Sequence, residues 1–308
     1  MLALVLGSLG GAAGHVGVAP LLAAGPGRLY IAVYSEESLG VIRLDDMTGA
    51  GRTALGAAGS GANQFGWPAG IVVDGAGRIY VADAGNSRIA RVNDMTGTGW
   101  VTLGAKGTET NQFDGPTGVF VDGAGHIYVA DVGNSRIVRA NDMTGAGWVA
   151  LGAMGAEANQ FNGPTGVFVD GAGHIYVADS GNSRIVRMDD MTGAGWTALG
   201  SFGTGDGQFQ YPTGVFVDGS GHIYVADSNN SRIVRVNDMT GAGWTTLGTK
   251  GPGVNQFRGP TGVFVDDAGR IYVADYFNRR VVQVSDITGA GWTTLDTTPL
   301  SPRSIFLR

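Results

Sequence analysis

The chain has 308 residues, 55 of them glycine, with 15% charged side chains and a net charge of −6 at neutral pH. That charge supplies no general pull toward nucleic acid or anionic lipid. The absence of cysteine excludes disulfides and thiolate metal sites, and leaves the compartment open, an extracytoplasmic one being slightly preferred.

Residues 1–24 are small and apolar. One reading is a secretory signal, although no Lys or Arg precedes the apolar run and the run is short. The preferred reading is an extra strand at 2–7, because Ala3-Leu4-Val5-Leu6-Gly7 lines up with Trp148-Val149-Ala150-Leu151-Gly152. The run is too short and too broken by glycine to span a membrane.

From there the chain repeats itself. Phe65, Phe113, Phe161, Phe209 and Phe257 recur every 48 residues, and Tyr80, Tyr128, Tyr176, Tyr224 and Tyr272 keep the same step. A period of this size signals a repeat architecture. A divergent first copy occupies 17–56, with strands expected at Leu21–Ala24, Leu29–Val33 and Val41–Leu44. Five closer copies follow at about 68–104, 116–152, 164–200, 212–248 and 260–295, and 302–307 resembles one more first strand. In the copy at 116–152, two short apolar runs flank Asp122-Gly123-Ala124-Gly125, a hairpin signature. Asp131 to Ser135 and Asp142 to Gly147 are turn chemistry, which sets off a third strand at Arg136–Arg139 and a fourth at Trp148–Leu151.

The first two strands are apolar at nearly every position, so both faces must be covered. Four-stranded blades stacked around an axis achieve this. The expectation is an all-β fold, a six-bladed β-propeller of four-stranded antiparallel blades in one domain over 1–308. The chain carries a spare strand at each end, and a closed ring needs one of them. Which terminus closes it stays open, as does pairing of a spare strand with another chain.

The run Pro116-Thr117-Gly118-Val119-Phe120-Val121-Asp122, continued by Gly125, Ile127-Tyr128-Val129-Ala130-Asp131, Asn134, Arg136 and Ile137, resembles the NHL repeat of six-bladed propellers. The resemblance is close over about 60–295 and loose over 17–56. It implies the fold but not one activity, since that family includes interaction modules, sensor domains and a few lyases.

Residues repeated in every copy read as scaffold. Asp131 and Arg136, with their equivalents, are expected to form a bidentate pair across one hairpin. Asp122 is expected to cap the following glycine turn, and Trp148 to pack between blade rims. His126, His174 and His222 share one repeat position about 10 Å from the axis, and strands about 4.8 Å apart keep neighbouring copies too distant to share a metal ion. The axial positions Ala69, Thr117, Thr165, Thr213 and Thr261 are nearly uniform, whereas catalysis needs distinct roles. The expectation is a non-catalytic binding scaffold without cofactor, metal, nucleic acid or membrane span. The alternatives are a lyase or hydrolase using the axial pocket and a structural subunit of a larger assembly.

Candidate site residues are those that depart from the repeat. Tyr34, Glu36 and Glu37 lie in the first copy's longer loop, and Tyr276, Phe277 and Arg279 in the sixth. Trp67, Tyr211 and Arg258 precede first strands. The first and sixth copies meet when a ring closes, so these residues are expected on one face, where exposed aromatics and arginines suit a protein or glycan partner.

Overall fold

The structure is a computed structural model, and it describes residues 27–35 and 39–308. Six four-stranded antiparallel sheets stand around an axis, and among the described residues helix is limited to single 3-10 turns such as Tyr276–Asn278. In blade three the strands Pro116–Val121, Ile127–Asp131, Arg136–Ala140 and Val149–Leu151 pair in sequence order, the first nearest the axis. Every residue of Ile127–Asp131 is buried, as expected for a strand covered on both faces.

The innermost strands approach one another closely, which explains the glycine at their third position. A Cβ on Gly118 would stand 2.6 Å from the Thr165 carbonyl oxygen of the next blade. Farther out, Phe65, Phe113, Phe161, Phe209 and Phe257 are fully buried. Each meets the Trp of its own repeat, as with Phe113 and Trp148 at 5.1 Å between ring centroids.

The linkers between blades hold short ladders of their own. Ala105–Lys106 pairs in parallel with Gln112–Phe113, and three further linkers form the same two-residue ladder.

The ring is closed by the C-terminal strand. Ser301–Leu307 pairs with Leu29–Tyr34, followed outward by Leu39–Leu44 and Thr53–Leu55. Ser304 faces Ala32 and Pro302 faces Val33 across a bulge, just as Gly118 faces Ala130 and Pro116 faces Asp131 in blade three. Ser301–Leu307 is therefore an inner strand like the others and is not left over to pair with another chain. The expected first strand Leu21–Ala24 and the extra strand at 2–7 lie outside the described residues. The edge of Leu29–Tyr34 where Leu21–Ala24 was expected is held by Ser301–Leu307. No helix among the described residues is long and apolar enough to cross a membrane.

Candidate functional site at the axial mouth

The repeated charges are absorbed by the scaffold. Arg136 Nε donates to Asp131 Oδ2 at 2.8 Å, but the pair is not the bidentate one expected. The terminal nitrogens of Arg136 reach back to the Thr108 and Gln112 carbonyls of the preceding linker. Asn134 donates to the same Asp131 oxygen, and the Asp114 amide donates to the other. Linker, hairpin and third strand are thus joined at one buried carboxylate, and the same arrangement surrounds Asp83, Asp179, Asp227 and Asp275. Burial pushes the Asp131, Asp227 and Asp275 carboxyls up from their ordinary value, against these donors.

The histidines are tied down in the same way. Asp122 Oδ1 accepts from the Ala124 and His126 amides, and its Oδ2 lies 2.8 Å from His126 Nδ1. Arg78 and Arg270 make the equivalent contact with Asp74 and Asp266, which explains why His and Arg interchange at this position. Among the described residues, no three His, Cys, Asp or Glu side chains converge as metal ligands.

The tyrosine two residues further on completes this cluster, as Tyr224 does by donating to Asp218. Burial first, and then the neighbouring carboxylate, hold Tyr224 and Tyr272 at about 12 and raise Tyr80, Tyr128 and Tyr176. An unfolded tyrosine ionises near pH ~10. Above that pH the unfolded chain binds fewer protons than the folded one, so stability falls as pH rises from about 10 toward 12. A spectrophotometric titration should show these phenols ionising only together with loss of near-ultraviolet circular dichroism. Phenolate formation in the intact fold would contradict this.

The axial mouth breaks the repetition. Thr117 Oγ1 donates to the Thr165 carbonyl at 2.8 Å, and Thr165 Oγ1 to the Thr213 carbonyl at 3.0 Å, each hydroxyl reaching the next blade. Thr213 and Thr261 reach Pro260 and Pro302 similarly. In blade one the matching position is Arg303, which sequence reasoning missed. Aligning Pro302-Arg303 with Pro260-Thr261 would have revealed it. Its guanidinium carbon lies 4.5 Å from the Trp67 ring centroid, 5.2 Å from Tyr276 and 5.7 Å from Tyr34. Tyr34 and Trp67 stack at 5.3 Å, and Tyr276 meets Phe277 edge-on at 4.8 Å. Arg258 lies over Phe277 at 5.9 Å.

Tyr34, Trp67 and Tyr276, from three separate stretches of sequence, thus meet around the Arg303 cation, and Phe277 and Arg258 extend the cluster through Tyr276. Trp67 and Phe277 are exposed by 43% and 61%. Tyr211 lines the same cavity as Arg303, with 48% of its surface exposed. Arg279 is exposed but has no part in these ring contacts. Glu36 and Glu37 lie outside the described residues.

Tyr211 also holds a left-handed backbone, with φ at 56°, where Gly115, Gly163 and Gly259 stand in other blades. A side chain there is strained by about 1–2 kcal/mol. Replacing Tyr211 with Gly should therefore raise the unfolding free energy, by roughly 1 kcal/mol, in a urea titration. A loss of stability would mean that its ring packing outweighs the strain.

Below this rim, Phe120, Phe168, Phe216, Phe264 and Phe306 form a chain of tilted rings 4.8–5.2 Å apart, with Val72 at the remaining position. The collar, the axial threonines, Tyr211 and Arg303 line a cavity of about 340 Å³.

The sequence profile of the NHL repeat matches residues 65–91, 113–139, 161–188 and 209–236. No curated protein matches the sequence. Among solved structures, a chain of the nidogen/laminin complex superposes with a TM-score of 0.71 at 18% identity, over 91% of this chain and 98% of that one. A protein of unknown function from Bacteroides caccae gives 0.66 at 14% identity, over 92% and 99%. A virginiamycin B lyase from Staphylococcus aureus gives 0.55 at 14%, over 75% and 71%. At these identities the likeness is one of fold.

Proposed function

We propose that this chain, a six-bladed NHL-repeat β-propeller, is a non-catalytic binding scaffold that recognises a protein or glycan partner through the loops at one axial mouth. The observation that carries this reading is the gathering of Tyr34, Trp67, Tyr276 and Phe277 around the mouth, with Trp67 and Phe277 left exposed. Aromatic and arginine side chains on a rigid scaffold are the usual anchors of an interface. The likeness to a chain from the nidogen/laminin complex agrees with a binding role.

Tyr276 and Phe277 sit on a 3-10 turn where two other blades have only Ala84-Gly85 and Ser180-Gly181, so their removal should leave the fold intact. The chain and its Tyr276→Ala/Phe277→Ala variant would be screened in parallel on a glycan array and a displayed peptide library. Ligands held by the parent should lose about thirtyfold in affinity for the variant, as expected when interface anchors are truncated. Ligands that bind both proteins equally would place the interface elsewhere.

A further inference from the structure

The cavity beneath the mouth carries a second reading, independent of any partner at the rim. Its lining is nearly devoid of available polar groups, because the four threonine hydroxyls already donate to carbonyls of the following blade. The exceptions are the Tyr211 and Ser304 hydroxyls and Arg303, and only Arg303 carries a charge.

None of the ion pairs among the described residues involves Arg303, and its Nε is buried without a hydrogen-bond partner. Three aromatic rings lie within 6 Å of the guanidinium. Such contacts use the π-faces of the rings and leave the N–H donors uncommitted. A carboxylate accepts from that N–H edge bidentately. The remainder of the lining is the phenylalanine collar and the valine side chains above it. One cationic anchor over a largely apolar chamber defines the ligand class.

We propose that the axial cavity binds a small monocarboxylate with an apolar body, its carboxylate on Arg303 and its body against the phenylalanine collar. A volume of about 340 Å³ lies at the small end of the ~300–1,000 Å³ range of ligand pockets. It has room for an aromatic or short alkyl acid rather than an oligosaccharide. The net charge of −6 does not draw anions in from a distance, so recognition rests on contact with Arg303.

The test is calorimetric titration of the intact chain with 3-phenylpropionate, its amide, and phenethylamine as the cationic counterpart. The acid should bind one-to-one with a dissociation constant of about 0.1–1 mM, ordinary for a ligand of this size. The amide should bind about tenfold more weakly, and the amine not at all. Arg303→Gln should abolish the preference for acid over amide. Val72→Phe, which completes the collar with the residue other blades already use, should weaken both by reducing the chamber. Circular dichroism melts of both variants would establish that they fold. Equal binding of acid and amide would overturn the proposal, as would an unchanged acid affinity in folded Arg303→Gln. Failure of the acid to bind at tenfold higher concentration would overturn it too. Phe277→Ala, whose ring contacts Tyr276 and Arg258 rather than Arg303, tests the rim separately, so loss of partner binding there with the acid site intact would distinguish the two readings.

Discussion

Deletion of Ser301–Arg308 should remove most of the stability of the protein and leave it without a cooperative unfolding transition. The segment is the inner strand of blade one, hydrogen-bonded along Leu29–Tyr34 and closed at its end by reciprocal bonds between Arg28 and Arg308. It buries Ile305, Phe306 and Leu307 almost completely. Burial of three such side chains contributes roughly 5–9 kcal/mol, against a total of about 5–15 kcal/mol for a typical folded protein. Phe264 and Gly262 of blade six would also lose their packing partners. Thermal melts and limited proteolysis of the truncated chain measure the effect. A melting temperature within a few degrees of the parent would mean that another segment can take the inner position, for which Leu21–Ala24 is the candidate.

The second large effect is expected at the buried carboxylates. Asp131 is fully buried and accepts from the Asp114 amide, Asn134 and Arg136. Asp131→Ala would leave those three donors without an acceptor and Arg136, whose side chain is only 13% exposed, without its counter-charge. Removing one partner of such a pair typically destabilises by about 3–5 kcal/mol. Arg136→Ala should act less strongly, because the linker carbonyls it releases accept two hydrogen bonds from it but carry no full charge. The double variant should be less destabilised than the sum, with a coupling of about 0.5–3 kcal/mol by urea titration. Additive single effects would mean that Asp131 serves the Asp114 amide and Asn134 rather than Arg136.

Much of this protein is local and could be read without a fold. The 48-residue period, the unbroken apolar strands and the Asp-Gly turns specify the blade, because each records a constraint within a single repeat: pleat, hairpin and burial on both faces. Comparison between copies also singled out Tyr34, Trp67, Tyr276 and Phe277, since a departure from a repeat is visible in sequence. The parallel linker ladders were not legible, because two-residue pairings such as Ala105–Lys106 with Gln112–Phe113 leave no periodicity. The role of Arg136 as the clamp of that linker was hidden for a related reason: its carbonyl acceptors lie 24 and 28 residues back and are backbone groups that every residue possesses. Closure was decided only in three dimensions. Both ends of the chain offered a strand, and pairing of Ser301–Leu307 with Leu29–Tyr34 carried Arg303 into the one ring position that the other blades fill with Thr or Ala. A residue that read as part of a surplus strand thus became the cation around which the aromatic rim is assembled. Contacts between chain ends depend on how the whole ring closes, which no local pattern encodes.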